Sequence, residues 1–163
     1  MKFRIELVEY ENPQPTIAIR TMTTMDDLPE TMGKSFMKLM KYLDELKVLP
    51  VEPPYVAYHN LDLSNFDVEM GFVLPKVIPA KDDMKIGEFR AGKYLSRVFK
   101  GPYAGMEHPY EEMFRWMEQR GYDAVGVYYE FFYNTPSQVT QEELLTRIVM
   151  PLKKYEGDKK DKN

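Results

Sequence analysis

Along residues 3–10, apolar and charged positions alternate, with Phe3, Ile5 and Leu7 on one side, the period of a half-buried strand. Asn12, Pro13 and Pro15 turn the chain, and residues 16–22 predict a second strand that pairs with the first as a hairpin. The period then changes. Leu28, Met32, Phe36, Leu39, Leu43 and Leu46 recur at helical spacing, behind Asp27-Leu-Pro-Glu30, which has the form of a capping box. This predicts a helix of about five turns, buried on one side. Pro50, Pro53 and Pro54 end it, and strands over 55–60 and 66–74 follow, separated by a polar turn at 62–65 and closed by Pro75.

The second half of the chain reads in the same order. Residues 85–90 and 93–100 predict a hairpin turned at Ala91-Gly92. Pro109 opens a helix with Tyr110, Met113, Phe114 and Met117 on one face and Gly121 at its end, with His108 at the cap. Strands over 125–134 and 144–152 complete the set, and Val149-Met-Pro151 echoes Val73-Leu-Pro75. An internal duplication accounts for both the element order and the shared punctuation. The expected fold class is α+β: duplicated ββαββ units, two antiparallel sheet/helix halves at about 1–80 and 81–153, related by a pseudo-twofold with a central ligand cleft. They form one domain, 1–153, because 163 residues leave no room for two ordinary ones. Residues 154–163 lack apolar periodicity and predict a disordered charged tail.

The strand over 125–134 carries the most unusual position. Parity sets Gly126, Tyr128, Glu130 and Phe132 on one face and Val125, Val127, Tyr129, Phe131 and Tyr133 on the other, so a single carboxylate stands between aromatic neighbours. Such a group is either exposed at an edge or the polar anchor of a pocket. In the other half, Glu69 shares its strand face with Asp67, and both glutamates are expected to approach one cleft. Trp116 falls at the margin of the second helix's apolar arc, where a side chain looks into a groove. His59, at a strand end, reads as a turn residue.

Composition narrows the chemistry. There are no cysteines, which removes disulfides, thiolate metal sites and cysteine nucleophiles and fits a reducing compartment. Two histidines give no His-rich metal site; no cofactor and no metal are expected. A net charge of -4 without a basic stripe argues against direct nucleic-acid binding. The amino-terminal residues carry early charges, and no apolar run is long enough to span a bilayer, so the expectation is a cytoplasmic protein off the membrane. The 12 Met and 12 Tyr suit adaptable cores and adaptable pockets.

Three segments carry a family resemblance. Phe66-Asp-Val-Glu-Met-Gly-Phe-Val-Leu-Pro75 is similar to an acidic strand of the form vE-x-G-x-P-V, Tyr129-Glu-Phe-Phe-Tyr-Asn-Thr-Pro136 to E-x-Y-x-x-D-P, and Glu143-Leu-Leu-Thr-Arg-Ile-Val-Met-Pro151 to E-L-x-T-E-I-x-x-P. In this order they resemble the GyrI-like small-molecule binding domain, the effector-binding domain of AraC- and MerR-type regulators, over roughly residues 1–153. The chain departs from the pattern at Phe132, where the family often has Tyr, at Arg147, where it often has Glu, and at Val73-Leu74, where proline often comes earlier.

The resemblance implies a buried glutamate at the centre of a cleft, matched here by Glu130, facing an aromatic-lined pocket that takes lipophilic cations. The candidate ligand-binding set is Glu130, Glu69, Trp116, Tyr55, Tyr58, Tyr94, Tyr128 and Phe132. A cation gains there from ring faces and from an opposite charge in a desolvated site. The leading expectation is a stand-alone effector-binding protein for amphipathic or cationic organic molecules. Its first strand starts too early for a DNA-binding module, so a regulatory role would need a separate partner. A second expectation is a cofactor-independent hydrolase of reactive electrophiles with Glu130 as general acid or base. A third is a gyrase-inhibitor-like module that binds a protein partner. The oligomeric state is left between monomer and homodimer.

Overall fold

The computed structural model describes residues 3–154. Eight strands and two helices follow one another as β1 (Glu6–Tyr10), β2 (Gln14–Thr23), α1 (Leu28–Leu46), β3 (Tyr55–Tyr58), β4 (Phe66–Val73), β5 (Lys85–Phe89), β6 (Gly92–Lys100), α2 (Glu107–Arg120), β7 (Tyr128–Phe132) and β8 (Leu145–Pro151). The fold class is α+β, as the periodicities predict. The strands join in one antiparallel sheet, ordered β1-β6-β8-β7-β3-β4-β2-β5, and not in two separate sheets. Pairing of β3 with β7, Tyr55 opposite Phe131 and Val56 opposite Glu130, makes the sheet continuous. The sheet curls. Tyr10 on β1 and Phe89 on β5, the two outermost strands, bring their rings to 5.3 Å.

Neither expected hairpin forms. β2 spends one edge on β4 and the other on β5, so β1 has no place beside it and pairs with β6. In the same way β6 lies between β1 and β8, and β5 crosses to β2. Only Arg90 and Ala91 separate β5 from β6, and Gly92, with φ at +134°, redirects the chain where a side chain would be strained. The first strand of each half therefore completes the other half's part of the sheet.

α1 begins as its sequence signals suggest, although Asp27 caps it only through its carbonyl, which accepts the Thr31 N–H, and forms no side-chain cap. Leu28, Leu39, Tyr42 and Leu43 are buried against Ile17, Ile19, Val56, Val68, Met70 and Phe72. Leu46, on the predicted stripe, is exposed past the edge of that contact. α2 starts at Glu107, so His108 lies within its first turn, exposed and 3.3 Å from Glu112. Met113 and Met117 pack on Leu95, Ile148 and Met150, and Arg97 ties the helix to β6 by a 3.1 Å bond to Glu112. Both helices lie on the same face of the sheet. Among the described residues the opposite face carries no α-helix; its core is Tyr55, Ala57, Val73, Phe89, Tyr94, Phe131 and Val149. The predicted charged tail lies outside the described residues apart from Lys154.

Candidate functional site

Cross-strand neighbours share a face of a sheet. One row runs Met70, Val56, Glu130, Ile148, and the next runs Glu69, Ala57, Tyr129, Val149. Glu130 and Glu69 thus point to opposite faces, and the expectation that they meet in one cleft does not hold. Strand parity causes this: the register that sets Val56 opposite Glu130 sets Ala57 opposite Tyr129.

Glu130 occupies the helix face at the seam between the two clusters. Val56 on one side belongs to the α1 core, and Ile148 on the other belongs to the α2 core. Its side chain is 7% exposed. The Tyr110 hydroxyl, from α2, donates to Oε2 at 2.7 Å, and the Tyr58 hydroxyl, from β3, donates to Oε1 at 3.2 Å. Burial pushes the carboxyl above its ordinary range, and the two hydroxyl bonds oppose that shift. Glu130 has no cationic partner among the described residues. The rings around it are Tyr58, stacked on Phe66 at 5.0 Å; Tyr128, edge-on to Tyr110 at 6.1 Å and to Phe114 at 5.6 Å; and Phe132, edge-on to Tyr103 at 5.9 Å. The charge of Glu130 also pushes the hydroxyls of Tyr58, Tyr103 and Tyr110 upward, after burial as the main cause.

Glu69 faces the other way, into an open cleft of about 730 Å³ on the helix-free face. Tyr55 donates its hydroxyl to Oε2 at 2.5 Å, and His59 Nε2 lies 2.8 Å from Oε1. Burial pushes Glu69 up, but the bonds from His59 and Tyr55 and the charge of Arg20 outweigh it, so the carboxyl titrates low and is ionised. Arg20 itself forks onto Asp67 at 2.9 and 2.7 Å. Tyr94 lines the same cleft, its hydroxyl bonded to the Arg90 carbonyl at 2.6 Å.

The eight candidate residues therefore divide. Glu130, Tyr58, Tyr128 and Phe132 gather beneath the helices, whereas Glu69, Tyr55 and Tyr94 belong to the opposite face. Trp116 joins neither group: it stacks on Tyr122 at 5.7 Å, and the Arg120 guanidinium sits 4.4 Å above its ring. Sequence reading missed the donor Tyr110, whose place on the apolar face of α2 was visible, and His59, whose carboxylate partner lies on another strand. Among the described residues no group of three or more His, Asp or Glu is arranged to hold a metal ion, and no helix is long and apolar enough to cross a membrane.

Residues 1–153 match the family model of the GyrI-like small molecule binding domain. The chain belongs to that family. Solved structures agree at the level of fold. The chain aligns with EcmrR in its complex with DNA at 17% identity and a TM-score of 0.76, covering 93% of this chain and 58% of EcmrR. A hydrolase from Listeria innocua aligns at 14% identity and a TM-score of 0.70, with 93% of each chain covered. SAV2435, solved bound to tetraphenylphosphonium, aligns at 12% identity and a TM-score of 0.65, covering 92% of this chain and 94% of that one. No protein of curated function matches in sequence. This GyrI-like domain thus spans somewhat more than half of EcmrR, and its departures at Phe132 and Arg147 fall on different faces. Phe132 packs in the α1 core, while Arg147 bonds Glu52 at 3.2 Å and Tyr10 at 3.3 Å, with its guanidinium 4.6 Å from the Phe131 ring.

Proposed function

We propose that this GyrI-like domain binds an amphipathic organic cation at Glu130. The observation that carries the proposal is a carboxylate 7% exposed, held by two phenol hydroxyls, ringed by aromatic side chains and lacking any cation of its own among the described residues. A buried carboxylate without a counter-charge is costly, and a lipophilic cation supplies the charge while its apolar groups meet the rings. Tyr58 and Tyr110 close the site, so the ligand reaches the carboxylate by displacing one of their hydroxyls. The binding of tetraphenylphosphonium by SAV2435, a protein of the same fold, supports this ligand class.

Tetraphenylphosphonium titrated calorimetrically into the native domain and into Glu130→Gln checks the proposal. The expected result is at least a tenfold loss of affinity in the variant, about 1.4 kcal/mol. Equal affinity for both removes Glu130 as the charge partner.

The proposal extends to the domain's history and setting. Exchanging β1–β4 with β5–β8 turns the sheet order into its own reverse, which supports an internal duplication about a pseudo-twofold. As a cytoplasmic effector-binding domain, it would serve regulation by sensing a small molecule. A hydrolytic role for Glu130 has support in the same upward shift, which suits a general acid. Product formation from a strained electrophile, abolished in Glu130→Gln, is its test.

A further inference from the structure

The binding proposal leaves the helix-free cleft without a role, yet its floor holds a buried series of hydrogen-bonded side chains. Tyr55 bonds Glu69, and Glu69 bonds His59. The chain makes space for this series. At Gly71 a Cβ would come within 2.5 Å of the Tyr55 hydroxyl and 2.8 Å of the Ile17 carbonyl, so only glycine lets the Tyr55 ring lie where its hydroxyl meets Glu69. The imidazole is thereby fixed as one tautomer. With Nε2–H donated to an ionised carboxylate, Nδ1 of the neutral ring holds the free lone pair, and it makes no hydrogen bond to the described residues.

The cleft around it has the size of a small-molecule site and mixed walls. Tyr94 and Tyr129 offer ring surface. Arg90 also lines the cleft, and its charge reaches both tyrosines, lowering their hydroxyls against the dominant effect of burial. Among the described residues no Ser or Cys lines the cleft. Water entering this open cleft can serve as the nucleophile, with His59 to take its proton.

We propose that the helix-free cleft is a second, catalytic site, in which His59, oriented by Glu69 and Tyr55, acts as general base for hydrolysis of small aryl esters. His59 Nδ1 takes a proton from water as the water oxygen bonds to the acyl carbon, and the carbonyl electron pair moves onto oxygen, where Arg90 supplies positive charge. The carbonyl then re-forms and the bond to the aryl oxygen breaks. That oxygen leaves with the proton held on the imidazolium. Ester and water become carboxylic acid and phenol, with no oxidant, reductant or cofactor. Glu69 and Tyr55 are positioning residues: the carboxylate stabilises the imidazolium and the phenol holds the carboxylate. The inference does not rest on Glu130.

The experiment follows 4-nitrophenyl acetate hydrolysis by the whole chain, with circular dichroism confirming the fold of each variant. Native protein is expected to show saturable turnover faster than free imidazole at equal concentration, rising with pH through a single ionisation. His59→Asn should lose about 100-fold or more in kcat/KM and the ionisation with it. His59→Ala should regain rate on addition of imidazole, which a merely structural role would not produce. His108→Asn, altering the exposed histidine on α2, should keep the native profile. Glu69→Gln should lose about tenfold and move the ionisation to lower pH; it carries the test if the His59 variants do not fold. Native turnover no faster than free imidazole, or an unchanged rate and profile in a folded His59→Asn or in Glu69→Gln, overturns the proposal.

Discussion

At Glu130 the side chain gives up water for two phenol hydroxyls, and burial still wins. At Glu69 an imidazole, a phenol and a neighbouring guanidinium outweigh burial. Their pH signatures have opposite sign. Glu130 has its folded-state pKa raised, so its contribution to stability is fully present below the unfolded value and is lost as pH rises through the raised one. The thermal midpoint of Glu130→Gln should therefore gain on the native protein as pH climbs across that window, and a gap independent of pH would contradict the assignment. Glu69 has its pKa lowered. Its contribution is present above the unfolded value and is lost as pH falls through the folded one. Glu69→Gln should lower the midpoint at neutral pH and converge with the native protein in acid, as read by calorimetry over a pH series.

Within single elements, sequence period located nearly every strand and both helices, because alternation and the 3.6-residue repeat are local properties. Pairing was not legible. The Asn12–Pro15 and Ala91–Gly92 turns look like hairpin connections, and what overrides them is competition for strand edges by β4, β5 and β8. The same limit hid the Tyr110 bond to Glu130, since a helix stripe shows which side is buried but not which strand residue the hydroxyl meets. The Tyr55 pairing with Glu69 depends on β4 as much as on β3. Gly71→Ala places a methyl against the Tyr55 hydroxyl and should destabilise the fold by about 1–3 kcal/mol, the usual cost of overpacking. Urea denaturation measures this, and a variant as stable as the native protein would show that the Tyr55 ring has room to shift. Parity reading set Glu130 between aromatic neighbours on its own strand, and it failed to separate Glu130 from Glu69 because strand parity alone does not say which faces of two strands coincide.

For the molecule as a whole, the crossed pairing of β1 with β6 and of β5 with β2 means that neither half has a complete sheet without the other. Fragments 1–80 and 81–153, produced separately, are expected to lack the far-ultraviolet signature of the native sheet and to recover it on mixing. A native spectrum from either fragment alone would show that the exchange is dispensable. The two faces are nonetheless distinct in character: one sealed by helices over an aromatic-ringed carboxylate, the other open, with an imidazole on its floor. On β7 they are one residue apart, since Tyr129 belongs to the cleft and Glu130 to the seam. A strand of this kind tolerates exchange of one side chain for another but not the gain or loss of a codon. An inserted or deleted residue within Tyr128–Phe132 would send each later side chain to the wrong face and damage both environments at once. In natural lineages of such a chain, β7 is therefore expected to vary by substitution and keep its length, while changes of length collect in the segment 133–143.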